Sequence, residues 1–454
     1  MVIGLGTLAV PLDSMVNVAF PDIVRDFGLP IPMIQWVVIC YVLTHASLML
    51  VFGRLGDMVG HRRIFMIGAG FSAVAFALCA LAPGYGWLLA ARVAQGIGAA
   101  LLLSCGTALA TFLFPEAQRT RALGLYTMVF GLGGALGPPL AGLLVDIWGW
   151  RAVFAVRVPI CLLALLFAFL LPAHRPTGAR ESFDALGALW LALSVTAALL
   201  AVNQLAEFAQ RAWLSVGLGL VTLLAMVAFI RQEKIVARPI IDLALFRDVD
   251  FSLVNLGHVL VNLAAFAVLL LVPFYLSQIV GLPVVAMGLV LSASPLGLIV
   301  AAPLAGRLAG VVPARLLITV GALAVSIALG TIALAHQFGI VVMMAAMALQ
   351  GIGMGLYQVG QADIVTRALP LRARGVAGSL SMMTRTLGTV GGASVLMFAF
   401  QTWRSGPGLD ETEAFLVGFR VTFLLAACIA GVVGLVLLWR RKVVEWRPPS
   451  DSGP

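Results

Sequence analysis

The chemistry open to this chain rests on a few polar residues set inside long apolar stretches. Leu12-Asp13-Ser14-Met15-Val16-Asn17-Val18-Ala19-Phe20-Pro21 carries a carboxylate and an amide four residues apart. That spacing puts Asp13 and Asn17 on one face of a helix. A carboxyl group sunk in hydrocarbon changes protonation with the cations brought near it, as proton coupling requires. Asp13 is the leading candidate for a proton carrier. Arg92, within the stretch Leu88 to Ala100, is the candidate charge partner. An arginine in an apolar span must face a cavity, a carboxylate or the interface.

His45, Gln95, Arg157, His258, Asn262 and Arg385 also lie inside apolar stretches and, with Asn17, are the candidate cavity lining. The two histidines read first as hydrogen bonders between helices. Three buried arginines against one deep acid leave room for anionic or zwitterionic amphiphiles as well as cations. The cysteines (Cys40, Cys79, Cys105, Cys161, Cys428) lack metal spacing and read as small core residues. No metal and no cofactor is expected. The short loops hold no acid, histidine or metal constellation of the kind an enzyme needs.

The elements that position these residues follow from composition. Of 454 residues, 62% are hydrophobic and 10% charged, and mean hydropathy is +1.08. Soluble domains are about 45–50% apolar and about 25% charged. A soluble enzyme, a nucleic-acid binder and a disulfide scaffold are thereby excluded, despite the net charge of +9. The expected fold is an all-α polytopic membrane protein. Fourteen stretches approach the length of about 20 apolar residues that a span requires. Twenty of the 28 basic residues fall in loops on one side and five on the other. Such asymmetry marks the cytoplasmic face and places both termini there.

The chain also repeats itself. Gly53-Arg54-Leu55 recurs as Gly306-Arg307-Leu308, and Arg62 then falls on Arg315. Gln95-Gly96-Ile97-Gly98 recurs as Gln350-Gly351-Ile352-Gly353, and Gly124, Met128, Gly134 and Gly137 fall on Gly378, Met382, Gly388 and Gly391. Blocks at nearly one offset imply two duplicated six-helix bundles. The expected organisation is an N-terminal bundle over 1–172, a linker with two inserted helices over 173–250, a C-terminal bundle over 251–440 and a tail over 441–454.

Four blocks carry a resemblance. Gly53-Arg54-Leu55-Gly56-Asp57-Met58-Val59-Gly60-His61-Arg62-Arg63 resembles the signature loop between the second and third helices of the major facilitator superfamily. There Gly53, Asp57, Gly60, Arg62 and Arg63 would form a conformational latch. The Arg92 block resembles the superfamily's fourth-helix arginine motif. Gly133, Gly134, Gly137, Pro138, Pro139 and Gly142 resemble the Gly-Pro helix of its antiporters, and the Asp13 block is similar to the first helix of its fourteen-helix drug:proton antiporters. One departure stands out: Arg157, before Val158-Pro159-Ile160, occupies a position where that family has asparagine.

The resemblance implies proton-coupled export of hydrophobic or amphiphilic molecules by alternating access from a bacterial cytoplasmic membrane. A proton-linked importer or facilitator of a metabolite is the alternative; a membrane enzyme or non-transporting scaffold explains fewer of the residues. The implied partners are the cargo, protons and the bilayer, with no nucleic acid. Whether a periplasmic adaptor protein extends the route is not written in the sequence.

Overall fold

The computed structural model describes residues 8–112, 119–170, 184–204, 208–236, 246–308, 312–334, 338–368, 374–404 and 410–440. Every regular element among them is helical. Nine helices are long and apolar enough to cross a membrane among the described residues.

Prolines divide several of the spans, and the rule is local. A proline has no N–H for the carbonyl four residues earlier. Pro159 withholds that bond from Ala155, and the sixth span is split into α7 (Ala152–Ala155) and α8 (Arg157–Ala168). Pro295 does the same to Leu291, splitting α12 (Val284–Leu291) from α13 (Ala293–Leu308). Pro21 divides the first span into α1 (Ser14–Val18) and α2 (Phe20–Asp26), preceded by a 3-10 turn at Pro11–Asp13. Asp13 and Arg157 therefore both sit beside helix breaks.

The intervening elements are α3 (Gln35–Val59), α4 (His61–Ala80), α5 (Tyr85–Phe112) and α6 (Arg119–Trp148). After α8 come α9 (Ala185–Gln204), α10 (Phe208–Ile235) and α11 (Val249–Phe274). The chain continues as α14 (Ala314–Ala333), α15 (Ile340–Ala368), α16 (Arg374–Arg404) and α17 (Glu411–Trp439). Helices α9 and α10 fall within residues 173–250, the stretch expected to be an insert. Helix α10 is the least buried of the nine, and Trp213, Val216, Leu220 and Leu224 point outward.

The residues form two compact units: Met1–Leu189 with Val272–Ser292, and Trp190–Leu271 with Ala293–Pro454. In the first, α3 and α4 pack on α5, and α6 packs on α1 and α12. Gly60 is the single residue between α3 and α4, at φ +105°, a backbone conformation that glycine adopts at least cost. Arg62 then donates to the carbonyls of Ala168 (3.2 Å) and Phe169 (2.8 Å), satisfying the orphan acceptors at the end of α8.

In the second unit α15 packs on α13 and α14, and α17 on α14 and α16. Arg315 donates to Leu437 (3.0 Å) and to Leu438 at the end of α17. Two residues matched by the repeat thus each cap a helix end within their own unit. Rings of Phe400, Phe415, Phe419 and Phe423 pack in succession along α16 and α17, edge-to-face, stacked and tilted in turn.

The last residue of α2 anchors a polar knot. Asp26 accepts from Trp150 Nε1 (3.0 Å) and Arg151 Nη1 (2.9 Å), and Arg151 Nη2 reaches the Ala82 carbonyl. The Trp150 bond first, and then Arg151, hold the Asp26 carboxyl below its ordinary 3.8. A lowered value stabilises the fold above the ordinary carboxylate range, and that contribution is lost as pH falls through the folded value. Asp26→Asn should remove this acid-dependent part, worth less than about 1 kcal/mol for so exposed a pair. Thermal unfolding at pH 7 and pH 3 checks it: the variant's deficit should shrink in acid.

Candidate functional site: a buried carboxylate between two arginines

The first unit gathers its deep charges at one point. Arg92, on α5, reaches Asp13 with both terminal nitrogens, Nη1 to Oδ1 at 2.7 Å and Nη2 to Oδ2 at 2.8 Å. Such a fork is the strong form of a charged hydrogen bond. Arg157, the first residue of α8, donates from Nη1 to Asp13 Oδ1 at 2.8 Å. Gln95, one turn beyond Arg92, donates from Nε2 to the same Oδ1 at 2.9 Å, and its Oε1 accepts from Arg92 Nη1 at 2.7 Å. Three donors therefore converge on Oδ1 and one on Oδ2, so the remaining acceptor position of the carboxylate lies on Oδ2.

Backbone carbonyls orient the arginines. Arg92 Nε donates to Val37 on α3, and Arg157 Nε to Val153 in α7. Aromatic faces complete the walls. Arg92 lies 4.4 Å from the Tyr41 ring centroid, and Arg157 lies 4.5 Å from that of Phe76 and 5.2 Å from that of Phe154. Arg92 and Arg157 are wholly buried, while the Asp13 side chain keeps 17% of its surface accessible. The acid is the edge of the cluster that a small molecule or proton can reach.

The Gly-Pro helix holds the Asp13 segment. On α6, a Cβ at Gly133 would stand 2.7 Å from Pro11, and one at Gly137 would overlap the Ser14 hydroxyl. Ser14 Oγ in turn donates to the Gly134 carbonyl at 3.3 Å. One turn on, Gly142 faces the Val284 carbonyl of α12, and the Pro138 carbonyl faces Gly288. These glycines permit backbone approach on both sides of α6.

A second polar cluster lies within the other unit. His258 Nδ1 and Thr384 Oγ1 are 2.8 Å apart, and the His258 ring stacks on Tyr357 at 6.0 Å and 7°. Asn262 donates to the His258 carbonyl, and Gln361 donates to Asn255 Oδ1 at 3.4 Å. All six side chains are buried. His258 Nε2, the Tyr357 hydroxyl and Gln361 Oε1 have no partner among the described residues.

The structure thus joins Asp13, Arg92, Gln95 and Arg157, and separately joins His258 and Asn262. His45 stacks on Tyr41 at 5.8 Å, beside the acid cluster. Asn17 is buried on α1, and Arg385 is exposed on α16. Of the expected latch, Gly60 and Arg62 act as described above and Arg63 is exposed, while Gly53 and Asp57 lie outside the described side chains. Sequence reasoning did not single out Tyr357, Gln361 or Thr384. The first two are four apart, facing the 255–258–262 stripe of α11, so matching the stripes of two helices would have found them.

Two helical units, each with a polar cluster buried under lipid-facing apolar side chains, define a polytopic membrane transporter. The chain belongs to the Major Facilitator Superfamily, whose family model matches residues 3–393 and again 254–453. It is 28% identical to the riboflavin transporter RibZ of Clostridioides difficile over 97% of both chains. It is 31% identical to the multidrug resistance protein Stp of Mycobacterium tuberculosis over 88% of this chain and 75% of that one. The tetracenomycin C resistance and export protein of Streptomyces glaucescens is 30% identical over 87% and 74%. Among solved structures, a bacterial homologue of the human lysosomal transporter Spinster, inward-facing and unoccupied, superposes with a TM-score of 0.71. Identity there is 17% over 99% of this chain and 98% of that one, a likeness of fold. The protein is a transporter and not an enzyme.

Proposed function

We propose that this transporter is a proton-coupled exporter of hydrophobic or amphiphilic small molecules. It would work by alternating access in a bacterial cytoplasmic membrane, with both termini inside. The organisation proposed is two six-helix bundles with α9 and α10 inserted between them, fourteen spans in all. The observation that carries the reading is the Asp13 carboxylate, bound by two buried guanidiniums and keeping an accessible edge of its own. A proton arriving on Oδ2 competes with the Arg92 bond there. Loading the acid thereby loosens a tie between α5 and the first span, linking protonation to helix rearrangement. Arg92, Gln95 and Arg157 position the carboxylate. Asn17, His45, His258, Asn262 and Arg385 are proposed to line the path of the cargo, and the Gly53–Arg63 loop to act as the latch.

Export of drug-like molecules is supported by relatives named for multidrug resistance and tetracenomycin C export. A second reading, a proton-linked carrier of one metabolite, is favoured by the relative named as a riboflavin transporter. Everted vesicles with an acid interior separate the two. Export predicts that a lipophilic dye or antibiotic is driven inward and partly dissipates a preset proton gradient, and that nigericin abolishes both effects. Dye movement indifferent to the gradient would remove proton coupling, and response to a single metabolite alone would favour the second reading.

A further inference from the structure

The buried cluster of the first unit does not balance in charge. Two guanidiniums, Arg92 and Arg157, face one carboxylate, Asp13. The other groups against them (Gln95, Tyr41, Cys79, Phe76 and Phe154) bring no further acid. Hydrogen bonding is unbalanced at the same place. Arg92 spends Nε, Nη1 and Nη2 on Val37, Gln95 and Asp13. Arg157 spends Nε on Val153 and Nη1 on Asp13, but its buried Nη2 has no partner among the described residues. The rings of Phe76 and Phe154 lie against that guanidinium without offering an acceptor atom.

A buried excess of one cation, with a donor left unspent, is expensive in a low-dielectric interior unless an anion joins it. We infer that Nη2 of Arg157, on the guanidinium that also binds Asp13, is a binding point for a singly charged anion. Either the carboxylate of an amphiphilic cargo or a chloride acting as counter-ion meets the requirement: one negative charge with a lone pair for an N–H donor. With the anion in place, two positive and two negative charges cancel. The departure of this chain from the family pattern creates the need, because asparagine at 157 would leave Asp13 and Arg92 as a neutral pair. The cargo form of the inference rests on the export reading; the counter-ion form does not.

The test uses purified full-length protein in detergent, with ionic strength held by sulfate and unfolding followed through tryptophan fluorescence. Benzoate and chloride are titrated separately. An anion that binds the folded state raises the unfolding temperature along a saturable curve. Saturation by benzoate, whether or not chloride competes, supports the cargo form, and saturation by chloride alone supports the counter-ion form. Arg157→Asn should flatten the curve, and Arg157→Lys, which keeps the charge with fewer fixed donors, should shift its midpoint to higher concentration. Wild-type protein with no saturable response to either anion overturns the inference, whatever the variants do, and so does an unchanged response in Arg157→Asn. Because the readout is binding at rest, its failure leaves proton-driven efflux untouched, and loss of proton drive leaves the anion response in place.

Discussion

Asp13→Asn is expected to reduce proton-driven efflux at least tenfold, the effect of about 1.4 kcal/mol on the barrier. Asparagine copies the shape of a neutral carboxyl but can neither take up nor release a proton, so the site is held permanently in one of its two charge states. The same change leaves Arg92 and Arg157 facing each other without an anion, and breaking a buried ion pair from one side typically costs about 3–5 kcal/mol. Lost stability alone would explain lost transport, so a second variant is needed. Asp13→Asn combined with Arg157→Asn removes one of the two cations left without an anion and should recover part of the thermal stability while leaving efflux uncoupled. Everted-vesicle transport and thermal unfolding, measured on both variants, read the two effects apart. A single variant whose efflux still follows the proton gradient as the native protein does would take Asp13 out of the mechanism.

The acid and its partner were legible in the sequence for a definite reason. Charged residues are rare inside spans, so Asp13 and Arg92 stood out against their neighbours, and four-residue spacing put Asn17 on the same face. That Arg157 closes the cluster was not legible: it stands 144 residues from Asp13, and only the fold brings the two within 2.8 Å. The repeat likewise matched Arg62 with Arg315 without saying what either does. Their shared task, capping α8 and α17, depends on which helix end the fold brings beside each arginine within its own unit. The proline breaks were only partly readable: Pro21, Pro159 and Pro295 stand at breaks, whereas Pro138, Pro139, Pro273 and Pro303 lie inside continuous helices. Hydropathy does not show the breaks, because it averages over them. The His258 cluster was half visible, as a stripe on α11 lacking its partner stripe on α15.

The packing beneath that cluster gives the second large effect. Helices α14 and α15 meet through facing glycines: a Cβ on Gly321 would stand 2.6 Å from the Gly353 carbonyl, and one on Gly353 would stand 2.7 Å from the Gly321 carbonyl. Both obstacles are backbone, so a rotamer change cannot relieve them; the helices must separate. Gly353→Val or Gly321→Val should therefore cost more than the about 1–3 kcal/mol usual for overpacking, and folded protein recovered from the membrane should fall sharply. Gly330→Ala, in the same helix α14 but with its nearest neighbour at 3.9 Å, should be tolerated. The smaller Gly321→Ala tests how packing bears on transport, because its Cβ would also press on the Tyr357 backbone, at 2.8 Å from the amide nitrogen. Tyr357 stacks on His258. Pushing α15 away opens that stack before the bundle unfolds, so cargo affinity should weaken in protein that still unfolds cooperatively. Transport kinetics and thermal unfolding on Gly321→Ala check the order. If stability collapses while the apparent affinity of the surviving protein is unchanged, the His258–Tyr357 stack plays no part in holding cargo.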